Sequence, residues 1–185
     1  MKKSVFYLHW WNSLENCPEN KKFIRDFLKD YLIWDKILFI PFGKENYAEG
    51  FARFKNIVSL YCWNQYDICL TEDDDNLIEQ INISKYIYIA GGDFNKLTSK
   101  TQNIKNLKKL LNWKIVAWSS AWTNLLSTYC YSNDYKKICR WLGVLNIMTV
   151  CHYKWLNTGI GKLAALNANL PIYRIKEKDY FKIIC

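Results

Sequence analysis

The sequence predicts an α/β protein, a three-layer α-β-α sandwich in which a mostly parallel sheet lies between two layers of helices. Short apolar segments recur along the 185-residue chain, and stretches with helical spacing separate most of them. Strands that alternate with helices form parallel sheets covered on both faces. Half of the residues are hydrophobic, enough to fill one core, so we expect residues 1–185 to form a single domain.

The individual elements follow from these apolar segments and from the residues that bound them. A helix is predicted to begin near Asn16, with Pro18 in its first turn, a second helix to cover about 47–54, and a third to follow a cap at Thr71. Helical spacing returns at 104–111, whereas 129–135 is predicted as a polar loop. The last two strands are expected to pair as a hairpin. The predicted strands cover residues 5–8, 36–40, 58–62, 86–90, 115–117, 147–150, 171–175 and 180–184.

Charge, apolar segment length and cysteine content argue against several classes of function. The formal net charge is +9, but the lysines are spread along predicted helix faces and form no block. A basic, aromatic-rich nucleic-acid binder is therefore the weakest functional class, and we expect no nucleic-acid partner. No apolar segment approaches membrane-spanning length, so we expect no membrane partner. Seven cysteines without paired spacing argue against a disulfide framework or a zinc site, and we expect a cytoplasmic protein without metal or cofactor.

The segment from Lys114 to Asn124 has the pattern of a nucleophile elbow, in which a strand turns sharply into a helix with a serine at the turn. A short apolar strand leads to Ser120, and a helical stretch follows it. The turn needs small residues beside the serine, because the strand and helix backbones come close together there. Trp118 and Trp122 occupy these two places, so the chain as written contradicts a functioning elbow.

A serine nucleophile needs a base, and the chain offers only His9 and His152. His152 follows a predicted strand, and Asp134 lies between Ser120 and His152 in sequence. Serine, aspartate, histidine is the order found in hydrolases built on parallel sheets, where the aspartate orients the imidazole. Each residue also has a purely structural interpretation: a helix N-cap for Ser120, a packed strand-end histidine for His152 and a turn residue for Asp134.

Other candidate site residues also follow predicted strands. The backbone N–H groups of Gly92 and Ala121 are predicted to form an oxyanion hole, since glycine lets the backbone approach closely. The carboxyl ends of parallel strands meet at one edge of a sheet, so a single crevice is expected to hold these groups with the catalytic residues. Around it, His9, Asp93 and Arg174 are the predicted contacts of the substrate.

Five segments together resemble a known family. Residues 118–124 are similar to the motif Gly-x-Ser-Ala-Gly-x-Asn with tryptophan in place of both glycines, and 86–93 are similar to a strand that ends in a Gly-Gly loop. Residues 7–11, 36–42 and 141–143 match further strand ends and a Gly-Leu-Gly turn before the strand of the catalytic histidine. These segments resemble the dipeptidase E (alpha-aspartyl dipeptidase) family of serine peptidases. That family has a flavodoxin-like fold similar to the class I glutamine amidotransferases.

The resemblance implies a serine peptidase that cleaves small peptides through an acyl-enzyme. It implies Ser120 as the nucleophile and His152 as the base, while Asp134 depends on a loop match of two or three residues. Specificity for aspartyl peptides would require a cation to pair with the substrate carboxylate. Two of the four arginines lie on predicted surface helices, which leaves Arg140 and Arg174 for that role.

Tryptophan stands at five positions where the family has glycine, and a shared codon explains a single replacement type better than random drift does. Our hypothesis is that the gene belongs to a lineage that reads UGA as glycine and that the translation assigned UGA to tryptophan. Trp34 and Trp113 also precede predicted strands, where glycine would be natural. The five motif positions are Trp10, Trp11, Trp118, Trp122 and Trp141.

The alternative is that these tryptophans are real and that the protein is a catalytically dead family member with a binding or scaffold role. Glycine beside the elbow serves either a positive φ or a close contact between strand and helix, and tryptophan is incompatible with both. We therefore expect the tryptophan chain to be inactive, and less stable than its five-glycine counterpart by several kcal/mol.

Overall fold

The computed structural model of the chain describes residues 3–9, 15–71, 76–102, 104, 106–119, 121–132, 135–151, 159–166, 169–176 and 178–185. Of residues 94, 121 and 122 it describes the backbone alone. The described residues form two β-sheets with helices on both sides, so the predicted α/β fold class is confirmed. None of the described helices combines the length and the apolar character that crossing a bilayer requires.

The described residues contain ten strands and seven helices. The strands are β1 (Val5–His9), β2 (Lys36–Ile40), β3 (Asp67–Leu70), β4 (Tyr86–Ile89), β5 (Ile115–Ser119), β6 (Tyr129–Ser132), β7 (Lys137–Arg140), β8 (Met148–Cys151), β9 (Ile172–Ile175) and β10 (Tyr180–Ile184). The helices are α1 (Pro18–Leu28), α2 (Tyr47–Tyr61), α3 (Leu77–Ile83), α4 (Phe94–Thr101), α5 (Leu107–Leu110), α6 (Ala121–Leu126) and α7 (Gly159–Leu166).

The first sheet has six strands in the order β10-β1-β5-β4-β2-β3. Five of them are parallel, and β10 pairs antiparallel with β1 at the edge. The central strand β5 pairs on both sides, with His9 opposite Ser119 and Ile89 opposite Trp118. This register brings the carboxyl ends of β1, β5 and β4 to the same edge of the sheet.

Alternation along the strands fills a core on each face of the first sheet. Tyr7 points to a core that α1 and α2 cover with residues such as Phe23, Phe27 and Phe54. Its neighbours Phe6 and Leu8 point to the opposite core, which α3, α4, α5 and α6 cover. The helices therefore bury both faces, as expected for a parallel sheet.

The second sheet has four strands in the order β7-β6-β8-β9. Its strands β6, β8 and β9 are parallel, and β7 is antiparallel to β6. Helix α7 covers one face through Leu163, which packs with Met148 and Val150. The other face contributes Cys151 and Ile175 to the same buried cluster as Trp118 of the first sheet. The two sheets thus share a core.

The structure corrects the predicted strand at 58–62, because residues 58–61 are the last turn of helix α2. Its apolar residues Ile57, Val58 and Tyr61 are buried together with Phe54, at helical spacing. A short apolar segment has the same composition in a buried strand and in a buried helix, so periodicity does not separate the two. The third strand in the structure is β3, which follows this helix.

The predicted hairpin of the last two strands is also wrong. Strand β9 pairs with β8 in parallel, and β10 pairs with β1, where Ile184 lies opposite Val5. Each strand covers a strand that would otherwise be an edge, which removes unpaired N–H and C=O groups. The predicted loop at 129–135 contains β6, the predicted helix at 104–111 is limited to α5, and helices α4 and α7 were not predicted.

One tryptophan has a backbone conformation that favours glycine. Trp113, two residues before β5, has a φ of 63°. This left-handed region is strained for a bulky side chain and open to glycine. The Trp113 backbone N–H donates to Ser4 Oγ at 2.8 Å, which holds the turn in place. The indole is 65% exposed, so little apolar burial offsets the strain.

We expect Trp113→Gly to raise the free energy of unfolding by about 1 kcal/mol, because glycine adopts a positive φ without the cost of a Cβ. Trp34→Gly is the matched control, since Trp34 is 75% exposed and is not among the described residues with positive φ. There, added chain entropy should lower the free energy of unfolding by about 0.5–1 kcal/mol. Urea unfolding measures both changes, and equal destabilisation by the two variants would contradict the conformational argument.

Candidate active site

The candidate site lies at the carboxyl edge of the first sheet, where three adjacent strands end. Strand β1 ends at His9, β5 ends at Ser119, and β4 leads into Gly91, Gly92 and Asp93. Neighbouring strands lie about 4.8 Å apart, so these three segments are side by side. Sites in parallel sheets form at this edge.

The predicted catalytic residues Ser120, Asp134 and His152 lie outside the described residues. The structure describes the elements that flank them in sequence. Strand β5 ends one residue before Ser120, and helix α6 begins one residue after it. Strand β8 ends one residue before His152, and Asp134 belongs to the sequence between β6 and β7.

The Gly-Gly loop after β4 packs backbone to backbone on the loop after β2. A Cβ placed on Gly92 would lie 1.9 Å from the carbonyl oxygen of Gly43, and one on Gly43 would lie 2.9 Å from the Gly92 Cα. The Asp93 N–H donates to the Gly43 carbonyl at 2.8 Å. No side chain fits between these two loops, so both glycines are required by the close approach.

Asp93, predicted to contact the substrate, has a structural role in the fold. Its carboxylate accepts a hydrogen bond from the Lys96 N–H at 2.9 Å and caps the start of α4. An N-cap aspartate satisfies one of the unpaired donors at a helix start. The cap fixes the loop that contains Gly92, and a substrate contact of Asp93 stays a prediction.

His9 is fully buried at the end of β1. Its ring lies 4.5 Å from the ring of Phe23 on helix α1, measured between centroids. The Thr123 hydroxyl, on helix α6, donates to the His9 carbonyl at 3.4 Å. The imidazole thus packs among core side chains, and its predicted contact with substrate stays a prediction.

Arg174 and Arg140, the two candidate partners for a substrate carboxylate, are exposed in the second sheet. Arg174 lies on β9 opposite Val150, on the strand next to the one that leads to His152. Arg140 ends β7 and pairs with Tyr129 of β6, so that β6 lies between Arg140 and β8. Of the two, only Arg174 is on a neighbour of β8, and a contact of either arginine with a substrate carboxylate stays a prediction.

Trp118 occupies a packed place in β5. It is the largest fully buried side chain among the described residues, and its indole meets Phe6 edge to face at 6.0 Å between ring centroids. Its φ is not in the left-handed region. The argument from positive φ is therefore wrong at position 118, and burial of the indole contributes stability there.

The other motif tryptophans differ in what the structure describes. Trp10 and Trp11 lie outside the described residues, as does the side chain of Trp122. Trp141 is half-buried, and its indole N–H donates to Cys130 Sγ at 3.0 Å. Burial raises the pKa of the Cys130 thiol to about 12, which keeps the sulfur neutral.

Helix α6 is fixed at its end by the segment that leads into β8. The carbonyls of Leu125, Leu126 and Ser127 accept from the N–H groups of Leu142, Leu145 and Gly143, at 2.9 to 3.1 Å. The last carbonyls of a helix lack partners within the helix, and this segment supplies them. A set of polar side chains, Asn124, Ser127, Thr149 and Cys151, also joins α6 to β8. Sequence reasoning missed these contacts, because no spacing pattern links an amide to a hydroxyl 25 residues away.

We expect Gly92→Ala to destabilise the protein by about 3 kcal/mol or more, because its Cβ would overlap the Gly43 carbonyl and force the two loops apart. Gly161→Ala on α7 is the matched control, since a Cβ there meets no atom within 4 Å. In a helix interior that change should be neutral or stabilise by up to about 1 kcal/mol. Urea unfolding of both variants is the measurement, and a tolerated Gly92→Ala would contradict the described approach of the loops.

The fold is similar to that of solved peptidase structures. A peptidase from an acI-B1 Actinobacterium superposes with a TM-score of 0.62 at 20% identity, over 97% of this chain and 83% of the other. A candidate peptidase E from Listeria monocytogenes EGD-e superposes with a TM-score of 0.60 at 16% identity, over 98% of each chain. No family model and no curated protein matches the sequence. The expected similarity to the dipeptidase E fold is confirmed, and at these identities it concerns the fold.

Proposed function

We propose that the natural gene product is a serine peptidase of the dipeptidase E type that hydrolyses small peptides. One observation supports this most directly: β5 ends at Ser119 and α6 begins at Ala121, beside the Gly-Gly loop at the carboxyl edge of the sheet. A strand and a helix separated by one serine are the surroundings that a nucleophile elbow needs. The fold similarity to peptidases agrees with this proposal.

In the proposed reaction, His152 accepts the hydroxyl proton of Ser120 as the oxygen attacks the scissile carbonyl carbon. The backbone N–H groups of Ala121 and Gly92 stabilise the negative charge on the carbonyl oxygen. The imidazolium then protonates the leaving amine, and the acyl-enzyme forms as the peptide bond breaks. Water activated by His152 releases the acid and regenerates Ser120, while Asp134 holds the imidazole in the required tautomer.

A cysteine nucleophile is a poor alternative at this edge of the sheet. Cys151 is the nearest in sequence to His152, but it is fully buried, and burial raises the pKa of its thiol well above the ordinary value. A thiol that stays protonated does not attack a carbonyl. The described cysteines are all free thiols, in agreement with a reducing compartment such as the cytoplasm.

The substrate is proposed to be a small peptide with a carboxylate near the scissile bond. Arg174 is the proposed partner of that carboxylate, because it is exposed on the strand beside β8. His9 ends β1 and Asp93 follows β4 in the Gly-Gly loop, and these two strands lie on either side of β5. They are proposed to shape the crevice that receives the peptide, and the whole chain is proposed to act as one domain.

This activity requires glycine at the five motif positions. The chain holds seven glycines and nine tryptophans, whereas average usage of about 7% would give about 13 glycines in a chain of this length. The left-handed φ of Trp113 adds an independent position at which glycine fits better than tryptophan. Both observations favour UGA codons that the cell reads as glycine.

A second function is favoured by one specific observation, the complete burial of Trp118 against Phe6. If the tryptophans are real, the indole fills the space behind the elbow and the protein is a binding or scaffold relative without catalysis. The peptidase requires glycine at the motif positions and the scaffold protein has tryptophan there, so the codons of the gene distinguish the two functions.

The nucleotide sequence should contain UGA at codons 10, 11, 113, 118, 122 and 141. Trp113 is included because its φ indicates glycine, although it lies outside the motifs. Sequencing the gene and measuring the mass of the natural protein are the two checks. UGG codons at these positions would support the scaffold function and contradict the peptidase in this chain.

In a version with glycine at the five motif positions, Ser120→Ala and His152→Ala should each lower kcat/KM for short peptides by about 10⁴-fold or more. Both changes remove a group that acts directly on the scissile bond. Ser119→Ala is the matched control, because Ser119 is buried at the end of β5 and its loss should leave most of the activity. Retained hydrolysis in Ser120→Ala would show that the nucleophile is assigned wrongly.

A further inference from the structure

We propose that Asn124 is a positioning residue that fixes the nucleophile and the base relative to each other. Its side chain joins α6, the helix that follows Ser120, to β8, the strand that ends one residue before His152. This inference depends on the proposed peptidase function, because it concerns the same two catalytic residues.

Two hydrogen bonds converge on one oxygen of Asn124. The Thr149 hydroxyl donates to Asn124 Oδ1 at 2.9 Å, and the Cys151 thiol donates to the same oxygen at 3.0 Å. Thr149 and Cys151 are two residues apart on β8, so both side chains are on the face toward α6. The amide oxygen therefore fixes the register of the strand against the helix.

Burial raises the free-energy cost of losing either of these hydrogen bonds. Thr149 and Cys151 are both buried, and burial raises the pKa of the Cys151 thiol well above its ordinary value. The sulfur thus keeps its proton and acts as a donor. A buried donor without an acceptor loses the hydrogen bond that it made with water in the unfolded chain. An acceptor at position 124 satisfies both donors at once.

Ser127 completes the contact from the last turn of the helix region. The Ser127 hydroxyl donates to the backbone carbonyl of Asn124 at 2.7 Å, and the hydroxyl oxygen lies 3.2 Å from Thr149 Oγ1. The backbone hydrogen bonds from residues 142, 143 and 145 to the end of α6 also hold this helix against the segment that leads into β8. Helix and strand are held together by side chains and backbone, and Asn124 is the member nearest Ser120.

Asn124 is close in sequence to Ser120, and its partner Cys151 is adjacent in sequence to His152. Asn124 is the third residue after Ala121, a rise of about 4.5 Å along the helix. Cys151 is bonded directly to His152 in the chain. A change at the Asn124 contact therefore displaces the segments next to both catalytic residues. Misplacement of a catalytic group by about 1 Å lowers the rate by about 100-fold.

The test uses the version with glycine at positions 10, 11, 118, 122 and 141, in which Thr149→Val removes the hydroxyl at nearly constant volume. We expect kcat to fall by about 10-fold or more with KM unchanged, because the effect is on the geometry of reaction and not on substrate binding. Asn124→Leu should lower kcat further, and Thr149→Ser, which keeps a hydroxyl, should restore most of it. Labelling of Ser120 by a fluorophosphonate should slow in parallel with kcat.

Thr71→Val is the matched control. Thr71 is also fully buried, and its hydroxyl donates to Gln80 Oε1 at 2.6 Å, beyond β3 at the far edge of the sheet. We expect it to lose stability without loss of kcat per folded molecule, with the folded fraction taken from urea unfolding. If Thr149→Val and Asn124→Leu behave as Thr71→Val does, their role is structural only and the proposal is wrong.

The version with the five glycines is the parent of these variants, and its own activity distinguishes failure of this proposal from failure of the proposed function. A parent that neither hydrolyses peptides nor reacts with the fluorophosphonate overturns the peptidase and the positioning role together. A parent that does both, with variants that match it in kcat and labelling rate, overturns only the role of Asn124. Loss of kcat in Thr149→Val, with recovery in Thr149→Ser, supports the proposal.

Discussion

The pairing of β5 on both sides is the constraint on which the rest of the structure depends. Because β5 lies between β1 and β4 in parallel register, its carboxyl end opens between His9 and the Gly-Gly loop. The contact between Gly43 and Gly92 then holds that loop against the neighbouring one with no room for a side chain. The positions of His9 and Gly92 at the carboxyl edge of the first sheet follow from these backbone contacts.

The second sheet meets this arrangement through polar contacts as well as through the shared core. The bonds of Asn124 to Thr149 and Cys151, and the backbone bonds of the segment before β8, both end on α6. A helix that follows directly from the central strand thus links the two sheets. The strand that leads to His152 is thus bonded to the helix that follows Ser120, and the proposed positioning role of Asn124 depends on this contact.

Local signals in the sequence were sufficient for part of this fold. Apolar segments predicted β1, β2, β4 and β5, and Pro18 marked the first turn of α1. The segment at 58–62 was assigned wrongly because an apolar run fits a buried helix as well as a strand. The partners of β9 and β10 were missed because pairing between distant strands depends on which edges are open, and no short pattern states that. In the candidate site, the strand ends pointed to Gly92 and Ala121, whose role as an oxyanion hole stays a prediction, whereas no local pattern indicates the contacts of Asn124 with β8.

Trp113 and Trp118 are expected to have opposite effects on the free energy of unfolding when glycine replaces them. At Trp113 the left-handed φ makes glycine the better residue. At Trp118 the indole is buried, and removing a buried tryptophan side chain costs about 3–5 kcal/mol where the surroundings do not close around the space. Relief of overpacking elsewhere is worth about 1–3 kcal/mol at a site. The two contributions have opposite signs, so the stability of the five-glycine chain is no measure of which residues are natural. Under the proposed function, catalysis is the property expected to separate the two chains, because a nucleophile elbow requires small residues beside the serine.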